Sequence, residues 1–533
     1  MTRCHSFILL AIWFPSFALA AAADFITFDS KAYFDVCTEA DGIIGRTPTP
    51  DRKGVQIPND AFWYVRPIYK NMTPDEIKTV VDECRRLKIP AIKFYEYKDA
   101  EDRSRLDDIL KSFVNLPYLQ SIDVGGQPYQ EPMLSSRGLK IVSKMPGVKR
   151  LRLCASGYTE EEYGIITQMK NLEELVIEMD DENNFHIAYD DMKSLRRIMI
   201  YGYEPVMNES SAKALANNDT LKAFSCFSAN PNNQIMESIC ALMATKGNIE
   251  ELDIDDKLDN EILKQFKKVK KLRCTNLCKT GIASLFVIKD LESLTITGCS
   301  LSRTDISSLS VLTKLQHLSL EVELTGNGQL DDLAGIANLR TISIPITRSK
   351  DLAFLNKLNQ LESVSIRKMS ADFLIELENA SVKKKIKQLE LVGPMDDRSA
   401  NILGSLENLE VLDIQQTEPS PSGLKRLEPL RKVRVLNLPP SITDEGLEGI
   451  KNWSELRKIY VHAPGISDKG LKNLSRITGL VYIDLSGCSI TDNVFDTLLK
   501  YKRAVEIRLG DTHVTDEMIG RIQQQLPATL FIR

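Results

Sequence analysis

The chain has 533 residues, with 68 Lys and Arg set against 73 Asp and Glu for a net charge of −5. That balance supplies no large single-sign field, which excludes nucleic acid or an anionic membrane surface as a partner implied by global charge. Hydrophobic residues make up 43% of the chain, enough for a sizeable core, so internal self-similarity has to be read before any domain count.

At the N-terminus Arg3 precedes an apolar run from Phe7 to Phe14, Pro15-Ser16 interrupts it, and Ala18-Leu19-Ala20 offers a small-x-small cleavage site. Residues 1–23 read as a secretory signal peptide, which implies a secreted, periplasmic or cell-envelope location for the mature chain. The competing reading is an uncleaved anchor. Phe7 to Ala23 lies at the lower limit for a membrane span, and Pro15 with the alanine tail favours cleavage. No later stretch is long and apolar enough to span a bilayer, so no membrane span is expected in the mature chain.

Residues 24–61 carry Gly42, Gly45, Pro48, Pro50, Gly54 and Pro58 with little periodicity and read as an irregular N-terminal cap. Phe62-Trp63-Tyr64-Val65 is a plausible first strand. Thr73-Pro74-Asp75-Glu76 is a capping box with proline at the first helical position, and Ile77, Val80, Val81, Cys84 and Leu87 share one face of the helix it opens.

From Ile89 onward a pattern of three apolar residues in an LxxLxL spacing recurs, first as Ile89-Ile92-Phe94 and then as Leu119-Ile122-Val124. The leading apolar residue of later units falls at Val148, Leu172, Leu195, Leu221, Ile249, Leu272, Leu291, Leu315, Leu339, Leu361, Ile386, Leu409, Val433, Leu456, Leu480 and Ala504. The mean interval is about 24 residues, inside the range of leucine-rich repeats. The interval from Leu272 to Leu291 is short, and Thr275 then stands where a second leucine is expected. LxxLxL puts its apolar residues on the inner face of a short strand, and a following apolar triplet puts one face of a short helix against it. A lone unit cannot offset the entropy of ordering it, so stacking is obligatory. The expected fold is α/β: a leucine-rich repeat solenoid, or horseshoe, with a parallel concave sheet and short convex helices. Residues 62–533 form the solenoid, with long irregular repeats over 62–147 and regular ones over 148–533.

The C-terminal units share Ile442-Thr443-Asp444, Ile466-Ser467-Asp468, Ile490-Thr491-Asp492 and Val514-Thr515-Asp516, where Ser or Thr followed by Asp is read as capping the next helix. Over residues 89–533 the chain resembles the cysteine-containing, ribonuclease-inhibitor-like branch of the leucine-rich repeat family. The form is the "TDxGL" one found in secreted bacterial proteins of planctomycete type. The resemblance implies the fold and a surface for binding, and it implies no chemistry.

Ten cysteines are present, and removing Cys4 with the signal leaves nine, which cannot all pair. Cys299 and Cys488 hold the same repeat position on the order of 38 Å apart, too far for a bridge. Cys37 with Cys84 is the one pair that could staple the cap, and the others read mostly as buried thiols.

Strand residues beside the inward leucines face the concave side. At the C-terminal end these are Lys458, Tyr460, His462, Tyr482, Asp484, Glu506 and Arg508, a cluster of aromatic and charged groups expected to bind a partner or else to form a solvated sheet face. His462 with Asp484 lacks a nucleophile or pocket, so no catalytic residues are expected. Glu251, Asp253 and Asp255 are expected to face out from one strand and Cys274, Asn276 and Cys278 from the next. Carboxylates spread about 7 Å apart on a flat strand do not suit calcium, and Cys274 with Cys278 lacks zinc-ligand spacing and a second pair, so no metal or cofactor is expected. Between Ser293 and Ser365 the face is mostly Ser and Thr. The lysine run Lys264, Lys267, Lys268, Lys270, Lys271 with Arg273 lies at a helix end, where it complements the dipole.

The expected function is that of a non-catalytic, secreted or periplasmic scaffold for protein–protein interaction, with a protein partner and no nucleic acid. The alternative is an intracellular substrate-recognition adaptor of ubiquitin-ligase, F-box-like type, which requires the signal peptide to be misread.

Overall fold

The computed structural model describes residues 24–26, 34–38, 42–47, 55–57, 62–67, 73–94, 100–125, 134–155, 157–178, 186–202, 207–228, 240–245, 248–254, 260–275, 282–325, 330–346, 349–420, 423–526 and 529–533. The signal-peptide segment 1–23, Asp255, Asn276 and Cys278 lie outside them. The chain divides into two compact units, one of residues 1–181 with 185–195 and the other of 182–184 with 196–533.

In the first unit the strand Trp63–Pro67 pairs antiparallel with Phe34–Thr38, which in turn pairs antiparallel with Gly42–Thr47. The cap region therefore contributes strands to the sheet edge. From Trp63–Pro67 onward the pairing is parallel, through Ala91–Lys93, Ser121–Val124, Arg150–Cys154 and Glu174–Glu178. The capping box forms as its residues dictate: Thr73 Oγ1 accepts from the Glu76 amide at 3.3 Å and Glu76 Oε2 accepts from the Thr73 amide at 2.7 Å. The helix Pro74–Leu87 buries Val80, Val81 and Cys84. It ends at Lys88, whose φ of 53° is left-handed. Cys37 and Cys84 are both buried free thiols, so the cap is not stapled by that pair. Desolvation raises each thiol to about 12, and hydrophobic packing rather than a bridge holds this end.

The second unit is a ladder of parallel strands from Arg197–Gly202 to Leu530–Ile532, separated by short α- or 3₁₀-helical segments. Leucine-rich repeats of this α/β kind are what the periodicity calls for. Equivalent core residues stack in register, as in Leu252, Leu272, Leu294 and Leu318, each at most 2% exposed. A backbone device repeats with them: the carbonyl of Arg457 accepts from Val481 and Tyr482 at 2.8 and 3.1 Å, and that of Arg434 accepts from Arg457 and Lys458 at 2.9 and 3.0 Å. One carbonyl thus satisfies two amides where the chain bends into the strand.

The register corrects one unit. Leu272 pairs with Leu252 and Leu294, which makes it the second core residue, not the first; the first is Val269, fully buried, and the third is Cys274. With this shift the Thr275 anomaly vanishes, and the short interval becomes one of 22 residues preceded by one of 20. Cys274 points inward, where burial pushes its thiol far up, and the outward residues are Lys271, Arg273 and Thr275. Valine and cysteine in place of leucine hid the true frame.

The Ser/Thr-Asp pairs do more than cap. Ser467, Thr491 and Thr515 accept from amides of their own helical segments, at 3.2, 3.3 and 3.2 Å. Each aspartate reaches forward instead. Asp444 accepts from the Ser467 amide and hydroxyl at 2.8 and 2.5 Å, Asp468 from those of Thr491 at 2.7 Å each, and Asp492 from those of Thr515 at 2.8 and 2.9 Å. A carboxylate ladder therefore joins consecutive repeats.

Candidate functional site

The outward rows of the sheet are read from register. One runs through Val435, Lys458, Tyr482 and Glu506; the next runs through Asn437, Tyr460, Asp484 and Arg508. Because neighbouring parallel strands lie about 4.8 Å apart, side chains in one row touch their neighbours and diagonals. The Tyr460 and Tyr482 rings sit with centroids 5.1 Å apart and tilted by 36°. The Arg508 guanidinium lies over the Tyr482 ring at 5.5 Å, and its Nε donates to Glu506 Oε1 at 2.6 Å. Tyr482 is thus clasped between an aromatic and a cation.

Asp484 is buried, at 4% exposure, unlike the other six residues of the cluster. His462 Nε2 lies 3.1 Å from its Oδ2, while Oδ1 accepts from the Ser486 amide and hydroxyl at 3.1 and 2.7 Å. Burial acts to raise the Asp484 carboxyl, but the Ser486 hydrogen bonds and then His462 outweigh it and hold the group below the usual carboxylate range. The Tyr482 phenol is pushed well up by burial and then by Glu506, and Tyr460 by burial and then by Asp484. Both rings therefore stay neutral and act as apolar platforms with a hydroxyl rim. The hydrogen bond to Glu506 raises Arg508 further and keeps it charged.

The structure brings all seven sequence-selected residues, Lys458, Tyr460, His462, Tyr482, Asp484, Glu506 and Arg508, onto three adjoining strands and the chain just beyond the first of them. Asp484 serves as the buried anchor of His462 rather than as surface. The Ser486 hydroxyl gives its proton to Asp484, not to His462, so the three do not form a nucleophile–base–acid relay. Ser486 and Leu530 were not anticipated. Leu530 is 55% exposed and stands opposite Glu506, a position the register alone identifies.

The outward strand residues of each unit carry alternating charge. In the first unit Asp123 lies 2.9 Å from Lys93 and 3.8 Å from Arg152; Arg150 pairs with Glu174 at 3.4 Å. In the second, Glu251 takes Lys271 at 2.9 Å from one side and, from two strands away, Arg197, which reaches over the buried small residue Ala223. The acidic stripe Glu251/Asp253 is therefore ion-paired, Asp253 with Arg273 at 3.9 Å. The lysine run is neutralised in part, with Lys264 on Glu261 at 2.6 Å and Lys270 on Glu250 at 2.9 Å. In the Ser/Thr stretch His317 Nδ1 lies 2.9 Å from Thr341 Oγ1. No group of three or more metal-ligating side chains occurs among the described residues. No helix among them is long and apolar enough to cross a membrane.

No family model matches the sequence, and no curated protein matches it. Solved structures with similar folds include an internalin from Listeria monocytogenes, at 17% identity, TM-score 0.36, 64% of this chain and 88% of that one. A leucine-rich repeat protein of Leptospira interrogans follows at 15% identity, TM-score 0.32, with 79% and 92% covered. The complex of Rad7 and Elc1 from yeast is similar at 14% identity and TM-score 0.41, with 60% and 86% covered. By its own register and core the chain has the α/β fold of a leucine-rich repeat solenoid.

Proposed function

We propose that this protein is a non-catalytic scaffold, secreted or periplasmic after cleavage within residues 1–23, that holds a protein partner on its sheet face at Lys458, Tyr460, His462, Tyr482, Glu506 and Arg508. The observation that carries the reading is the clasped pair Tyr460–Tyr482 under Arg508, half-exposed aromatic and guanidinium groups on a rigid sheet. Such residues are the usual anchors of protein interfaces. The Ser/Thr-Asp ladder supports placing the chain in the ribonuclease-inhibitor-like, secreted bacterial class. Cys299 is disulfide-bonded, which supports an oxidising compartment.

A photo-crosslinking residue placed at Tyr460 is expected to trap a discrete protein adduct in intact cells, and one at the exposed Glu376, on a helical segment, is not. Identical adducts from both positions would remove the sheet face as the interface. N-terminal sequencing after fractionation separates this reading from the intracellular adaptor: a new terminus near Ala21 to Asp24 outside the cytoplasm supports secretion, and an intact Met1 in the cytosol sinks it.

A further inference from the structure

Among the described residues of the second unit several outward carboxylates meet a cation, whereas one pair of them meets across the sheet. Glu390 and Asp413 stand directly opposite each other on adjoining parallel strands, Ile386–Met395 and Val411–Pro419, with Cα atoms about 4.8 Å apart. Other outward carboxylates of this unit meet a cation, as at Lys271–Glu251 and Arg508–Glu506. Asp413 has only neutral donors: the Gln415 amide on Oδ1 at 3.0 Å and Asn437 Nδ2 on Oδ2 at 2.6 Å. Lys368 and then Arg367 act to lower the Glu390 carboxyl, but neither is ion-paired with it among the described residues, and Arg367 is held by Glu321 at 2.9 Å. Like charges opposed across a sheet are destabilising, and burial followed by repulsion from Asp413 raises the Glu390 carboxyl. A bound cation would relieve that cost, which makes this the point of charge complementarity on the face.

The row continues from Asp413 through Asn437 to Tyr460, opposite each other in turn, so Asp413 and Tyr460 lie about 10 Å apart along one line, with Tyr482 beside Tyr460 in the neighbouring row. An extended chain covers that span in about three residues.

We infer that the sheet face from Glu390 to Tyr482 takes an extended protein segment with a lysine or arginine seated on Glu390 and Asp413, and an apolar or aromatic side chain about three residues away on Tyr460 and Tyr482. The inference rests on the proposed partner-binding role and specifies the chemistry of the partner. An acidic cluster alone would not distinguish an ion from a side chain; the aromatic pair reached along that line favours the segment.

The test is selection from a random dodecapeptide phage library against the whole protein and three variants, E390Q/D413N, E390K/D413K and Y460A/Y482A, each checked by circular dichroism for an intact fold. Peptides enriched on the native protein are expected to carry a basic residue three or four positions from an aromatic or aliphatic one. They should bind E390Q/D413N at least tenfold more weakly, and E390K/D413K should select acidic residues at the same spacing. Enriched peptides without a basic residue that still require Tyr460 and Tyr482 overturn this inference and leave the patch standing. Peptides indifferent to both pairs, or no enrichment, overturn both. Light scattering on the same samples covers self-association: a dimer dissociated by E390Q/D413N names a second copy as occupant and overturns the peptide assignment.

Discussion

Tyr501 shows at single-residue scale how a repeat tolerates a misfit. It fills a core position equivalent to Trp453 and Ile477 and is fully buried, but its hydroxyl has no partner among the described residues, whereas Trp453 Nε1 reaches the Glu428 carbonyl at 3.4 Å. An unsatisfied buried hydroxyl costs about 1 to 3 kcal/mol, so Tyr501→Phe is expected to raise stability by roughly 1 kcal/mol in urea unfolding. A loss of stability instead would mean that the hydroxyl is used. Asp484 gives the second case. Its carboxyl is held below its ordinary value, so its contribution is complete above the unfolded value and is lost as pH falls through the folded one. Urea midpoints measured through the acidic range should fall more shallowly for Asp484→Asn than for the native chain, and parallel curves would contradict the assignment. Cys488 was legible as a buried edge thiol: its Sγ donates to the Val461 carbonyl at 3.2 Å and burial raises it to about 11.

Between elements, the aspartate ladder is the feature whose loss should be felt furthest from the substitution. Asp468 satisfies the amide and hydroxyl of Thr491, the residue that caps the next segment. Asp468→Ala is expected to cost about 1 to 3 kcal/mol and to speed amide exchange in residues 491–495 more than around residue 468 itself. Faster exchange confined to the substituted segment would place the carboxylate's role in its own cap. The Ser/Thr-Asp motif was visible in the sequence, and so was its capping role. Its forward reach was not, because a carboxylate's partner some 23 residues away depends on the stacking of repeats. A parallel series uses asparagine, with Asn171, Asn338 and Asn408 donating to carbonyls of Pro146, Thr313 and Lys384 at 3.2, 2.7 and 2.8 Å.

At the scale of the molecule the second unit behaves as a linear array, so removing one full repeat should preserve it. Excising residues 456–479 brings Thr491 to the place of Ser467 above Asp444 and restores the ladder across the seam. The shortened protein is expected to remain folded by circular dichroism with one cooperative transition, while losing Tyr460 and His462. Excising half that length should abolish folding, since it puts core residues out of register; equal stability of the two deletions would refute the array description.

Spacing alone carried the repeat, nearly all the inward residues and the strand positions of the seven selected residues, because the alternation of a strand and the face of a helix are local consequences of spacing. It misplaced the frame only at Val269 and Leu272, where the stronger leucine sat at the second position and cysteine at the third. Which side chains meet came from the folded stack: His462 on Asp484, Arg197 on Glu251 over Ala223, and Glu390 left facing Asp413. Those encounters depend on register between strands that are 22 or more residues apart in the chain, and register is fixed by packing of the whole stack rather than by any one segment.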